Sequence, residues 1–368
     1  MKILFIIDSL NKGGAEKALI SLLKHCRMEQ HEITVMTLYD IGIYKNQLPY
    51  NVKYVSLKLP LIRGMNYIAK FFSPEQLHQI LIKDTYDIEV AFLTGIVTKI
   101  VAGAGAHTKK LAWVRTDIRN NKKSRACFFC FSQLKQVYQS IDRIGFVGEE
   151  NKKVFFEYCG IDKNLYVVEN IVDINEILSL STKDICKEFP SYIKRPVFLA
   201  VGRLEKVKGY ERLLRVHKRL IEEGFLHTIV ILGTGRLEKK LKKYVCTNDL
   251  QESVVFKGFL ENPFPVFRMS NWFLLGSLYE GFSSVLREAV VLEVPVAATD
   301  CTGVKEVLGN SEYGIVIEND ENSIYRELKR IIQNPELETI YKEKIKMRKN
   351  IFSMEKSIEK NRMFILGE

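Results

Sequence analysis

Short runs of β-branched and aliphatic residues alternate along this chain with stretches whose apolar residues fall three and four apart, and no other feature restricts the possible folds as strongly. Such alternation predicts parallel strands joined by crossover helices, because parallel neighbours need a long connection and a helix is the compact way to make one. The runs form two series. The first comprises KILFII, EITVMTL, VKYVSL, DIEVAFL, KLAWVR, RIGFVG and YVVEN; the second VFLAVG, TIVILG, VVFKGF, WFLLGS, PVAATD and GIVIEN. Each series reads as one α/β unit, whose ligands bind at the carboxyl ends of the strands. A length of 368 residues agrees, since one core seldom extends so far. The predicted fold class is α/β, with two Rossmann-like, doubly wound domains facing a central cleft. The polar, proline-containing stretch SLSTKDICKEFPSYIKRP breaks the pattern. It gives an N-terminal domain over 1–185, a C-terminal domain over 186–345 and a last helix over 346–368, expected to pack back toward the first.

A hydrophobic fraction of 46% with 27% charged residues excludes a disordered chain, and no apolar run reaches membrane-spanning length. The N-terminal MKILFIID has an apolar run of about six residues that meets Asp8, too short for a signal-peptide core, and reads as a first strand. Seven cysteines, at 26, 127, 130, 159, 186, 246 and 301, do not form a disulfide framework and point to a reducing cytoplasm. Cys127 and Cys130 have C-x-x-C spacing without a second pair, so they read as buried thiols. A net charge of +11 favours an anionic partner: nucleic acid, an acidic membrane surface or a phosphorylated substrate. The cations are dispersed and no nucleic-acid module is recognisable, which leaves the last two.

Four motifs stand at strand ends. Gly13-Gly14 follows the first strand and opens a helix with the apolar face Ala15, Ala18, Leu19, Leu22, Leu23 and Cys26. That arrangement suits either a phosphate held on backbone amides or a tight strand-to-helix turn. In VGRLEKVKGYERLL, Gly202 ends a strand, and Arg203 and Lys208 can converge where phosphate oxygens would lie. ILGTGRLEKKL carries Gly233 in a G-x-G, but Glu238 stands where a dinucleotide fingerprint needs its third small residue, so it reads as a strand-end loop. In YEGFSSVLREA, Glu280 and Glu288 lie eight positions apart. On one helix they would be separated by about 12 Å and about 80°, too far for a catalytic pair. With Ser283 or Ser284 as N-cap, Glu280 falls in the loop and Glu288 in the helix, with the amides of Gly281, Phe282, Ser283 and Ser284 between them. The pair then addresses two parts of one elongated ligand, or else only complements the helix dipole.

Together these residues resemble the retaining glycosyltransferases of family 4, which have the two-domain GT-B fold. The resemblance covers nearly the whole chain and rests on Gly13-Gly14-Ala15-Glu16, Asn170-Ile171-Val172-Asp173, Gly202-Arg203 with Lys208-Gly209, and Glu280-Gly281-Phe282 with Glu288-Ala289. It implies transfer of a hexose or N-acetylhexosamine from a nucleotide-diphosphate sugar, UDP first and GDP second, to a saccharide acceptor. It also implies roles: Arg203, Lys208 and Glu280 catalytic; Gly13, Gly14, Gly202, Gly233, Gly258, Phe259, Gly281, Phe282, Ser283, Ser284 and Glu288 around the donor; and no metal or cofactor. The chain has no D-x-D pair to hold a divalent ion against a diphosphate. A nucleotide-sugar 2-epimerase and a non-catalytic sugar-nucleotide-binding protein are the alternatives. One position departs from the pattern. Where many relatives carry histidine after a Trp-Val pair, this chain has Arg115, which stays protonated and is expected to bind a phosphate or the acceptor with Asp117 orienting it.

Acceptor choice is expected in the first half, at LIRGMNYIAKFF and RTDIRNNKKSRACFFCFSQLK. Basic residues beside aromatics there suit an anionic membrane surface, or a solvated loop before a buried helix. The first reading implies a polyprenyl-diphosphate-linked acceptor at the inner face of the plasma membrane, with the protein cytoplasmic and peripheral.

Overall fold

A computed structural model describes residues 1–60, 64–183 and 194–367, without the side chains of Lys123 and Asn350. Leu61 to Arg63 of the acceptor-side stretch and most of the predicted boundary segment lie outside these residues.

Two all-parallel sheets form, and every predicted run overlaps a strand. The first sheet holds β1 (Lys2–Ile7), β2 (Glu32–Thr37), β3 (Val52–Ser56), β4 (Ile88–Ala91), β5 (Lys109–Val114), β6 (Arg143–Phe146) and β7 (Leu165–Val167), in the order β3-β2-β1-β4-β5-β6-β7. The second holds β8 (Val197–Val201), β9 (Thr228–Leu232), β10 (Val254–Gly258), β11 (Trp272–Leu275), β12 (Val296–Thr299) and β13 (Ile315–Ile317), in the order β10-β9-β8-β11-β12-β13. Helices cover both faces, so the inner strands are buried along their length and read as unbroken apolar runs. The strand order reverses between β1 and β4, and again between β8 and β11, and such points are where open α/β sheets take ligands.

The chain divides into two compact units, Met1–Ile171 with the residues from Ser353 onward, and Val172–Phe352. The expected division at 185 is therefore displaced. The helix Ile174–Ser181 has Asp173 as its N-cap and inserts Ile177 into the core of the second unit, with Val172, Ile174 and Leu178 packed beside it. The expected limit at 345 shifts too, because Ile345 and Phe352 belong to that same core. The helix Met354–Leu366 completes the first unit: Phe364 lies 4.7 Å from the Trp113 ring, and Asn361 and Arg362 donate to the carbonyls of Glu169 and Arg27.

Two histidines that match no motif form a buried chain in the second unit. His227 Nδ1 donates to the Phe225 carbonyl (2.7 Å), so its Nε2 accepts from His217 Nδ1 (2.7 Å), and His217 Nε2 accepts from the Ser253 hydroxyl (2.8 Å). Every proton is placed with both imidazoles neutral. Burial pushes His217 down to about 2, assisted by its neighbour, and His227 down to about 4. Unfolded histidine titrates near 6.5, so below that pH the unfolded chain binds protons that the native pair refuses. The stability is complete above about pH 6.5 and declines by roughly 2 to 3 kcal/mol per pH unit as the pH falls toward 4. Urea unfolding across this window should show the decline; a flat midpoint would mean that the imidazoles are solvated.

Candidate functional site

The predicted donor-side residues gather at the carboxyl end of the second sheet. From β8 the chain passes through Gly202, Arg203 and Lys208 and enters the helix Tyr210–Glu222 at Gly209. Gly209 has φ +69°, and a Cβ there would lie 1.9 Å from the carbonyl oxygen of Gly276. Only glycine lets this loop close onto the end of β11. At the next strand end the same need recurs, since a Cβ on Gly233 would sit 2.0 Å from the Gly202 oxygen. The Gly233 amide in turn donates to the Gly258 carbonyl (2.6 Å), so the ends of β8, β9 and β10 are laid against one another, with Phe259 half-buried beside them.

Lys208 and Glu280 meet across the β8/β11 reversal. The ammonium donates to Glu280 Oε1 at 2.5 Å, and the hydroxyl of Ser277 donates to the same oxygen at 2.6 Å. Both charged side chains are largely covered, 17% and 12% exposed, so the pairing is less screened than a surface ion pair. Arg203 is exposed on the same loop and outside this pair.

The two glutamates are divided as their spacing predicts. Ser283 is the N-cap of the helix Ser284–Val291 and accepts from the Leu286 amide (3.3 Å). Glu280 is in the loop before it, and Glu288 is buried in the second turn. Phe282 is fixed from both sides: Gly303 leaves room for its ring, and the Arg287 guanidinium lies 4.7 Å from the ring centre.

Sequence reasoning missed what holds the Glu280 loop. Arg212, buried in the helix after Lys208, donates through Nε and Nη2 to the Gly276 carbonyl (3.0 and 2.8 Å), and through Nη2 to the Ser277 carbonyl and to Asn319 Oδ1 (2.8 and 2.7 Å). Asn319 passes the hold on through Nδ2 to the carbonyls of Leu278 and Asp300 (3.0 and 3.1 Å). Thr299 donates to the Leu275 and Ser277 carbonyls (3.2 and 2.7 Å), and the Leu278 amide donates to Val207 beside Lys208 (2.7 Å). The planar fork of Arg212 thus couples the loop that carries Lys208 to the loop that carries Glu280. A signal existed: Arg212 stands among the buried positions Tyr210, Leu213, Leu214 and Val216, where a cation needs a polar destination.

The remaining candidates belong to the first unit. Gly13 is the N-cap of the helix Gly14–His25 directly after β1. Arg115 follows β5, is buried, lies 4.2 Å over the Phe92 ring and donates to Asn170 Oδ1. Asp117 does not serve as expected, because its carboxylate accepts from Arg119 Nε and Nη2 (3.2 and 3.1 Å) and Asn120 Nδ2 (2.9 Å). The turn after Asp117 brings those donors within reach, so the orienter is turned to its own loop.

Two Rossmann-like units of this topology make up the GT-B fold. The solved structure of HepE from Anabaena, in complex with UDP and glucose, shares that fold at TM-score 0.76 and 19% identity, over 98% of this chain and 97% of that one. Residues 181–348 match the family of the glycosyl transferases group 1. An N-acetylgalactosaminyltransferase of Campylobacter jejuni, which acts on N-acetylgalactosamine-N,N'-diacetylbacillosaminyl-diphospho-undecaprenol, is 28% identical over 100% of both chains. An uncharacterized glycosyltransferase of Methanocaldococcus jannaschii is 31% identical over 66% of this chain, a match that spans 59% of the archaeal protein.

Proposed function

We propose that this glycosyltransferase is a retaining, metal-independent enzyme of family 4. It moves a hexose or N-acetylhexosamine from a UDP-sugar, or secondarily a GDP-sugar, to a polyprenyl-diphosphate-linked saccharide in bacterial capsule, exopolysaccharide or O-antigen synthesis. The observation that carries this reading is the Lys208–Glu280 pair at the β8/β11 reversal within the family segment. The Campylobacter relative supports the lipid-linked acceptor, and the UDP complex of HepE supports uridine.

In the proposed reaction the bond from the anomeric carbon to the β-phosphate oxygen breaks, and the diphosphate gathers negative charge. Lys208 and Arg203, on the loop after β8, stabilise that charge in this reading, with help from the amides of Phe282 and Ser283 at the start of their helix. Glu280 exchanges its bond from Lys208 for hydroxyls of the donor sugar, and Glu288 accepts from the ribose. The acceptor hydroxyl attacks the face that the leaving phosphate vacates, and its proton passes to that phosphate. No metal is assigned a part, so turnover should persist in excess chelator. Among the described residues no helix is long and apolar enough to cross a membrane, and contact with an anionic membrane is proposed as peripheral.

Thermal-shift measurements against nucleoside diphosphates and their sugars test the donor. UDP at about a hundred times its Kd should stabilise the protein by about 2.7 kcal/mol, and GDP by less. No shift with any of them would remove the reading. Nucleotide release that depends on an acceptor separates transfer from epimerisation.

A further inference from the structure

Among the described residues the first unit leaves an aromatic face uncovered. Tyr67 is 61% exposed, Ile68 46%, Phe71 74%, Phe129 60% and Phe131 45%. These residues come from two segments far apart in sequence, and one ring pair joins the segments. The rings of Phe71 and Phe129 meet edge to face at 5.4 Å, and Phe131 meets Tyr158 at 5.0 Å. Contiguous exposed apolar surface of this kind marks an interaction site.

The two segments are also locked from beneath. Lys99 is fully buried, and its ammonium donates to the Ala69 carbonyl (2.9 Å) and to the Cys127 carbonyl (3.1 Å), one in each segment. A buried lysine with those partners fixes the spacing of the face from inside, so the aromatics are presented and not merely left over. The charge carried by the two segments themselves has a single sign. Residues 64–74 and 118–135 contain Lys70, Arg119, Lys122, Lys123, Arg125 and Lys135, and no aspartate or glutamate. Arg119 is taken by Asp117, and Arg125 is directed by its bond to the Tyr158 hydroxyl (2.6 Å); Lys70 lies 5.0 Å over the Tyr67 ring. Lys122 is exposed.

We infer that this face, centred on Phe71 and Phe129, docks on an anionic lipid bilayer, with the aromatic rings in the interface and the surrounding cations on the headgroups. Exposed aromatics set among cations match the two layers that an anionic leaflet presents, an apolar boundary beneath negative charge. A face shaped for a neutral glycan alone would give those cations nothing to bind. In its choice of partner the inference rests on the lipid-linked acceptor proposed above, and it adds the surface that reaches the lipid.

Flotation of the full-length chain with vesicles tests it, using phosphatidylcholine alone and a mixture of phosphatidylcholine with phosphatidylglycerol. The chain should float with the mixed vesicles and not with the neutral ones, and raised salt should release it. Phe71→Ser/Phe129→Ser should reduce the bound fraction by roughly tenfold or more, and Lys122→Gln, which removes one charge, by a smaller factor of roughly fivefold. Both rings are exposed, so the urea midpoint of the double variant should equal that of the parent. Equal binding by the double variant, equal binding to neutral vesicles, or no binding to anionic vesicles at low salt would overturn the inference. Concentration-dependent self-association abolished by the same variant would overturn it too, by giving the face to a second copy of the chain. Donor binding by thermal shift, run in parallel, keeps the two readings apart. A chain that binds its nucleotide but stays off vesicles remains a glycosyltransferase and loses only the docking face.

Discussion

Lys208→Ala should lower turnover by well over tenfold while the circular dichroism and the donor-free fold stay as they are. On the proposed assignment the ammonium meets its strongest demand when charge builds on the departing diphosphate, so the loss falls on kcat and kcat/KM together. Removal of a single donor from a site of this kind costs about a hundredfold or more. The variant keeps the Ser277 bond to Glu280, so the carboxylate is not stranded and the local fold survives. Steady-state kinetics with the donor identified by thermal shift provide the check. Unchanged turnover would contradict the placement of Lys208 on the phosphate.

Arg212→Met should produce the second large effect, and through a different route. The side chain is buried and donates to the carbonyls of Gly276 and Ser277 and to Asn319. Methionine of similar length takes these donors from the Gly276 carbonyl and Asn319 Oδ1, while Ser277 keeps its bond from Thr299, and each buried acceptor left unpaired costs about 1 to 3 kcal/mol. The second unit should therefore unfold at markedly lower denaturant. At conditions where it is still folded, kcat should fall as well, because the Lys208 and Glu280 loops are no longer held to each other. Arg212→Lys restores one donor without the fork and should fall between the two. A urea midpoint within experimental error of the parent would show that the brace carries no weight.

How much of this was legible beforehand depends on the range of the interaction concerned. The strands were legible because a parallel strand covered on both faces is apolar at every position, and VFLAVG or TIVILG has few other ways to be buried. The placement of Glu280 and Glu288 was legible because Ser283 caps locally, within three residues. The division of the chain was not. The helix Ile174–Ser181 displays an apolar stripe, but a stripe does not say which core receives it. Asp117 was misread for the opposite reason: a carboxylate two residues from Arg115 is also two from Arg119, and the turn of the loop decides between them. Arg212 was visible only as a charge out of place, with its destination some sixty residues later in the chain.

The return of Met354–Leu366 to the first unit has a consequence for biosynthesis. While the ribosome is still adding the last stretch, the second unit already has all of its own residues, whereas Trp113 lacks Phe364. Domains ordinarily mature from the N-terminus onward as translation proceeds. Here the portion made first is finished last, and a nascent chain arrested before residue 353 would present an open aromatic core to the chaperones.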